Sequence, residues 1–252
     1  MRFDIVTIFP GMVSSALAEG LLRRAIERQI VEIRVHDLRD WSNDRHRKVD
    51  DTPFGGGGGM ILRAEPLFAV VEDLRVRRTA EASAAKGTDA GPDRTFLLCP
   101  QGRRLDQAFV RELAGQGGRL ILLCGRYEGV DERVREHLAD GAISIGDYVL
   151  SGGEFPALVL VEAVTRLLPG ALGRADSALC DSFTENRLDF PHYTRPAEFR
   201  GWKAPEVLLS GDHEAVAAWR REKALERTEL RRPDLLTFEN KQTAPEGAGS
   251  KR

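Results

Sequence analysis

Hydrophobic and polar positions follow two rhythms along the first two-thirds of the chain. Phe3–Phe9 is a β-rich apolar run ended by Pro10 and Gly11, which predicts a strand. Over 12–29, apolar residues including Leu17, Leu21, Leu22, Ala25 and Ile26 recur at helical spacing. Val31–His36 then alternates with a period of two, as a strand with one wet face does. Strand–helix–strand is the unit of a parallel sheet. Further on, the spacing predicts a helix over 65–78, with Pro66 in its first turn and Leu67, Phe68, Val70, Val71 and Leu74 as the buried stripe. A strand at Thr95–Cys99, a helix over 105–114 and a strand at Leu120–Cys124 follow. Both of these strands are continuous apolar runs, which suits a sheet covered on both faces. A short charged helix at Val130–Leu138, a strand at Ala142–Ile145 and a strongly apolar helix at Glu154–Leu168, closed by Pro169 and Gly170, complete the pattern. The prediction is an α/β fold with a parallel sheet.

Three segments break the rhythm. Residues 37–59 crowd Asp, Arg, His and Lys together and end in five glycines, Gly55 to Gly59. A loop of that length inside a compact domain is usually functional or disordered. Residues 79–94 are small and polar and read as a surface excursion. After 170 no clear period remains, apart from a helical segment from Asp212 to about Arg227. The expected division is an α/β domain over 1–170, a linker over 171–191, a small helical domain over 192–240 and a polar, disordered tail over 241–252.

Composition narrows the function classes. Of 252 residues, 42% are apolar and 30% charged, which supports a sizeable core. The formal net charge of −2 excludes a globally basic nucleic-acid wrapper but allows a local basic face. Cys99, Cys124 and Cys180 are odd in number and widely spaced, so neither a disulfide framework nor a Cys-rich zinc site is expected, and a reducing cytosol fits best. No stretch approaches the roughly 18 apolar residues of a membrane helix, so a soluble, cytoplasmic protein with no membrane partner is expected.

The chain lacks a G-x-G-x-x-G after a strand, a G-x-x-x-x-G-K-[ST], an H-E-x-x-H and a G-x-S-x-G. What it has are three glycine-bearing turns, each after an apolar strand: Pro100-Gln101-Gly102-Arg103-Arg104, Cys124-Gly125-Arg126-Tyr127-Glu128-Gly129, and Ser144-Ile145-Gly146-Asp147-Tyr148-Val149-Leu150-Ser151-Gly152-Gly153-Glu154. In an open parallel sheet, ligands bind at the carboxyl ends of strands. Glycine lets backbone donors and acceptors approach closely, and Tyr127, Tyr148, Val149 and Leu150 can wall a purine. Any one such turn is more often only a turn; three together point to a small-molecule pocket.

These same strings closely resemble the TrmD family, the bacterial tRNA (guanine-N1)-methyltransferases acting at guanosine 37. The likeness extends to Asp44-Arg45-His46-Arg47, Asp50-Asp51, Pro100-Gln101-Gly102-Arg103, Asp181-Ser182-Phe183 and Pro191-His192-Tyr193-Thr194-Arg195-Pro196, covering the chain from Phe9-Pro10 to Arg232-Pro233. It departs at Gly58, where the family usually has proline, and in the length of 79–94. The resemblance implies a SPOUT-type sheet with a deep trefoil knot over about 95–168, plus a small C-terminal α-helical domain that binds tRNA. It implies S-adenosyl-L-methionine held by Pro100, Gln101, Gly102, Gly125, Tyr127, Glu128, Ile145, Gly146, Asp147, Tyr148, Val149, Leu150, Gly152 and Gly153. Asp181 would be the general base and Arg166 the cation facing O6. Asp44, Arg45, His46, Gly55, Gly59 and Arg195 would face RNA, and Glu128 is a candidate Mg²⁺ ligand. A homodimer with the active site at the subunit interface is also implied. From the residues alone, Arg166 reads equally as an i,i+4 partner of Glu162, and Asp181 as a helix cap. A related SPOUT enzyme with another target, or a non-catalytic RNA-binding module, are the alternative functions.

Overall fold

The computed structural model describes residues 1–85, 91–173 and 181–238. The chain divides into two compact units, Met1–Gly173 and Arg174–Arg252. The first unit runs β1 (Arg2–Thr7), α1 (Pro10–Leu17), α2 (Gly20–Glu27), β2 (Glu32–Asp37), a 3₁₀ turn (Leu38–Trp41), β3 (Asp50–Asp51), β4 (Ile61–Leu62), α3 (Ala64–Ala85), β5 (Asp93–Arg104), α4 (Gln107–Gln116), β6 (Arg119–Cys124), α5 (Glu132–His137), β7 (Gly141–Ser144) and α6 (Glu154–Leu167). Five strands form one sheet in the order β2-β1-β6-β5-β7, every pair parallel.

Period-two alternation sorts the side chains of this sheet onto two cores. Phe3 and Ile5 of β1, with Leu120, Leu122 and Cys124 of β6, face a cluster shared with Val13, Leu22, Ala25, Phe109, Leu113, Leu160, Val161 and Val164 from α1, α2, α4 and α6. Val6, Ile121 and Leu123 face the opposite cluster, with Leu38, Leu67, Val70, Val71, Leu74 and Val134 from the 3₁₀ turn, α3 and α5. The sheet is therefore covered on both faces, as its continuous apolar strands predict.

Boundaries shift where local chemistry overrides periodicity. The single helix expected over 12–29 is two, because the chain turns at Gly20, whose φ is +67°. The surface excursion expected from 79 is, as far as Ala85, a continuation of α3; residues 86–90 lie outside the described part. The 79–85 stretch is rich in Ala, the best helix former, with no apolar stripe to announce it. Strand β5 extends past Pro100 to Arg104, with its register against β7 shifting between Leu98 and Arg103. The 37–59 loop contains the 3₁₀ turn and β3, which pairs antiparallel with β4.

The amino end of the sheet is fastened by a buried ionic cluster. Asp4 on β1 and Arg119 on β6 are fully buried, with Arg119 Nε donating to Asp4 Oδ2 at 2.6 Å and Arg119 NH1 donating to the Leu74 carbonyl at 2.7 Å. Arg2 Nε also donates to Asp4 Oδ2 at 2.9 Å, and His36 Nε2 on β2 meets Oδ1 at 2.7 Å. Glu81 reaches back from α3 to Arg2 and Arg34 at 2.6 and 2.9 Å. Burial works against a charged Asp4, but the hydrogen bonds from His36, Arg119 and Arg2 outweigh it and hold the carboxyl well below the usual carboxylate range.

The second unit contains a short hairpin, β8 (Glu198–Phe199) and β9 (Trp202–Lys203), and the long helix α7 (His213–Arg231), whose N-cap Asp212 accepts from Glu214 N and Ala215 N. Segment 181–190 is fastened to α7: Leu188 N donates to Thr228 Oγ1 at 2.9 Å, Arg227 NH1 to the Asp189 carbonyl at 3.1 Å, and Arg220 lies 4.8 Å over the Phe190 ring. The final residues, 239–252, lie outside the described part. Among the described residues no helix is long and apolar enough to cross a membrane.

Removing the Asp4 charge leaves Arg119 buried without its principal counterion, Asp93 being 3.9 Å away. Asp4→Asn is expected to lower unfolding free energy by about 3–5 kcal/mol at neutral pH. Because the folded pKa is depressed, this contribution is full above the ordinary Asp value of about 3.9 and is lost as pH falls below it. Urea titrations of both proteins should show the gap between them narrowing below about pH 4; a constant gap contradicts the assignment.

Candidate functional site

The three glycine turns leave neighbouring strands at the same end of the sheet. Past Leu98, the register shift of β5 carries Cys99–Gln101 out of the ladder. After β6, Gly125–Gly129 forms a tight turn in which Tyr127 adopts a left-handed φ of +61° and Gly129 N donates to the Arg126 carbonyl at 3.2 Å. After β7, the Ser144 hydroxyl donates to the Gly146 carbonyl at 3.0 Å, Tyr148 N donates to the same carbonyl at 3.0 Å, and the chain returns to α6 through Gly152 and Gly153.

Together the turns enclose a cavity of about 500 Å³. Pro100 and Gln101 line it from the first turn, Gly125, Tyr127 and Glu128 from the second, and Ile145, Gly146, Tyr148, Val149, Leu150 and Gly152 from the third. Gly102, Asp147 and Gly153 are not among the lining residues. Gly102 instead lies against the Ala142–Ile143 backbone of β7, where a Cβ would collide. Gly153 lies against β6, where a Cβ would sit 2.6 Å from Cys124 Cα. These two glycines permit close packing of the elements that carry the cavity. Ser144 and Ser151, part of the third turn, also line it; sequence reasoning missed Leu98, Cys99 and Pro156, and also Glu132 and Arg135 of α5. The last two carried a signal: they stand three apart on a helix that starts just beyond the second turn, and their side chains pair (Arg135 Nε to Glu132 Oε1, 2.7 Å).

A buried ion pair holds the second and third turns together. Glu154, the first residue of α6, is 1% exposed. It accepts from Arg126 Nε at 3.0 Å and from the Thr7 hydroxyl, at the carboxyl end of β1, at 2.6 Å. Arg126 also lies 4.5 Å over the Phe9 ring. The backbone continues the clamp, with Gly153 N donating to the Gly125 carbonyl at 2.9 Å. Burial pushes the neighbouring Cys124 thiol well up, with the Glu154 charge adding to it, so this cysteine stays protonated and inert.

The glycine run abuts the same rim. Glu128 N donates to the Met60 carbonyl and Leu62 N to the Gly129 carbonyl, both at 3.0 Å. A Cβ on Gly59, whose φ is +86°, would sit 2.5 Å from Glu128 Cγ. Of the five glycines only Gly58 lacks a left-handed φ, so a residue with a side chain is accommodated there. Asp44 makes a turn, accepting from His46 N at 2.7 Å and Lys48 N at 3.4 Å; these hydrogen bonds, His46 N first, lower its pKa. The His46 side chain is exposed, as are Arg45 and Gly55. Arg63 N donates to the Val49 carbonyl at 2.8 Å, joining this charged loop to β4.

The two catalytic candidates fall in different units. Arg166 is half-buried in the last turn of α6. Asp181 opens a turn, its carbonyl accepting from Thr184 N at 3.2 Å, and caps no helix. It lines a hollow of about 200 Å³ with Arg187, Asp189, Phe190, Arg220 and Arg221. Arg195 is exposed beside Pro196. Among the described residues no group of three or more His, Cys, Asp or Glu side chains is placed to hold a metal ion.

The packing roles of the glycines are separable. Gly153→Ala is expected to cost about 1–3 kcal/mol, because the new methyl meets the β6 backbone. Gly58→Ala, whose Cβ meets nothing within 4 Å, should stay within about 0.5 kcal/mol of wild type. Chemical denaturation of the two variants reads both.

A family profile described as tRNA (Guanine-1)-methyltransferase TrmD matches residues 1–238. Among curated proteins, the tRNA (guanine-N(1)-)-methyltransferase of Gloeobacter violaceus is 53% identical over 236 residues, 94% of this chain and 98% of that protein. Those of Dehalococcoides mccartyi and Geobacter sulfurreducens are each 50% identical over 94% of this chain and 90% and 91% of their own lengths. With its glycine turns gathered around one cavity, the chain belongs to the TrmD family of tRNA (guanine-1)-methyltransferases.

Proposed function

We propose that this chain transfers a methyl group from S-adenosyl-L-methionine to N1 of guanosine 37 in tRNA, in the cytoplasm. The observation that carries this reading is the convergence of three glycine turns on one cavity in a chain of this family. The residues present fit the donor. A volume of about 500 Å³ lies within the usual range for ligand pockets. Leu98, Tyr127, Tyr148, Val149 and Leu150 give apolar walls for a purine, and the turn backbones give donors and acceptors for its edge. Glu128 places a carboxylate beside a cationic ligand, while the other lining acid of α5, Glu132, is paired with Arg135. Within the third turn Gly146 packs against Tyr148, where a Cβ would lie 2.6 Å from Tyr148 Cε1. S-adenosylmethionine, when bound, supplies the methyl group on its sulfonium sulfur. A Mg²⁺ ion would find one carboxylate at the rim, Glu128, a hard ligand of the kind Mg²⁺ takes together with substrate oxygens.

Guanine N1 carries a proton that is about as weakly acidic as a phenol, so neutral-pH methylation needs a base. In the proposed mechanism the Asp181 carboxylate accepts that proton as the N1–methyl bond forms. The Arg166 guanidinium donates to O6, where negative charge gathers as the proton leaves. Asp44, Arg45, His46 and the glycine run face the RNA, with cations meeting phosphates and bare backbone allowing close approach. The chain acts as a homodimer in which the second unit of one subunit completes the cavity of the other. Phe155 and Val159, one turn apart on α6 and both exposed, with Phe9 and Met12 beside Arg126, supply apolar surface for such an interface. Segment 95–168 ties a trefoil knot. The parallel order of β5, β6 and β7 and the pressing of Gly102 onto β7 support that threading. The α7 region forms the tRNA-binding domain.

Incubation with labelled donor and unmodified tRNA bearing G37, followed by nucleoside analysis, should give 1-methylguanosine, lost when residue 37 is adenosine. Methylation of a ribose or of another base contradicts the target. Asp181→Asn should bind the donor as wild type does in calorimetry but turn over at least about 100-fold more slowly. Full activity of that variant rejects the base assignment.

A further inference from the structure

The second unit carries an aromatic surface that the methylation mechanism does not use. Strands β8 and β9 pair antiparallel, Glu198 with Lys203 and Phe199 with Trp202. Arg200 and Gly201 form the two-residue loop with φ of +56° and +84°, the left-handed pair of a tight hairpin turn that matches strand twist. Ala204 N donates to the Ala197 carbonyl at 2.8 Å, extending the ladder by one pair. Because directly paired residues share a face, Phe199 and Trp202 stand together on one side, and the Glu198–Lys203 pair on the other.

This aromatic face is open. Phe199 is 56% exposed and Trp202 71% exposed, with ring centroids 6.5 Å apart and planes tilted by 47°. The Arg200 guanidinium lies 5.2 Å from the centroid of Phe199. Arg195 precedes the hairpin and Lys203 follows Trp202, against one acid, Glu198, within 195–203. Paired, exposed aromatic rings with the Arg200 guanidinium beside them match the chemistry of unstacked nucleobases on a phosphate backbone. Each base presents a π-face, and each phosphate a charge for Arg or Lys. A protein partner of ordinary hydrophobic kind would not call for a guanidinium at the ring edge.

We propose that the Phe199–Trp202 hairpin is a base-stacking platform that grips an unpaired tRNA nucleotide other than the methylated guanosine. The proposal rests on the tRNA reading above and adds a second point of contact, set by stacking rather than by the shape of the methyl-donor cavity.

Equilibrium binding of unmodified tRNA transcript to the full chain tests it. Wild type should bind, and Trp202→Ala and Phe199→Ala should each weaken binding about 5- to 50-fold. Trp202→Phe should keep most of the affinity, whereas Trp202→Leu, apolar but unable to stack, should lose it. Arg200→Ala should lower the slope of log affinity against log salt by about one contact. Tryptophan emission should be quenched by tRNA in wild type, and the quenching should shrink in Trp202→Phe. Wild-type affinity in Trp202→Ala and Trp202→Leu overturns the platform while leaving the tRNA reading intact. Retained tRNA affinity with a changed oligomer mass in those variants overturns it in favour of a contact between copies of the chain. Failure of wild type to bind tRNA overturns both readings.

Discussion

The Arg126–Glu154 pair is the interaction on which the cavity depends. Three segments far apart in sequence meet at one carboxylate: the end of β1 through Thr7, the second glycine turn through Arg126, and the start of α6 through Glu154 itself. A buried charge of this kind is costly unless every lone pair is answered, and here the answering groups are the ones that frame the cavity. The glycines around it follow from the same requirement. Gly153 brings the α6 terminus onto β6, and Gly152 leaves room for the Arg126 side chain, which a Cβ there would strike. The turns have their shape because the pair must close.

Much of this architecture was legible in the sequence. Continuous apolar runs at 95–99 and 120–124 gave two-sided burial, and alternation in Val31–His36 gave the edge strand β2, whose polar face is not wet throughout because His36 turns into the Asp4 cluster. The glycine turns were visible as strings after strands, and the family likeness tied them to a methyltransferase. Less visible were contacts that depend on three-dimensional closeness. Nothing in the chain near Asp4 announces Arg119 as its partner across 115 residues. Glu132 and Arg135 looked like a charged surface helix until the turn before them placed that helix against the cavity.

Gly102, Asp147 and Gly153 show the converse limit. Motif matching treats every residue of a conspicuous string alike, but a glycine can be demanded by a neighbouring backbone as easily as by a ligand. The extension of α3 through 79–85 was obscured for a different reason. Its sequence has no hydrophobic stripe, and its anchorage comes from Glu81 reaching Arg2 and Arg34. Periodicity reports burial, and this stretch is held by charge.

The strand order has a consequence for how the polypeptide is made. Strand β1 is paired on one side by β2, complete at residue 37, but its other neighbour is β6, which ends at residue 124. During synthesis the open edge of a fully buried strand must therefore wait for some ninety further residues, roughly 4–17 s at typical elongation rates. Until Arg119 emerges from the ribosome, Asp4 also lacks its principal counterion. Until then the nascent amino-terminal half carries an unpaired strand edge, the kind of surface that pairs wrongly with other chains.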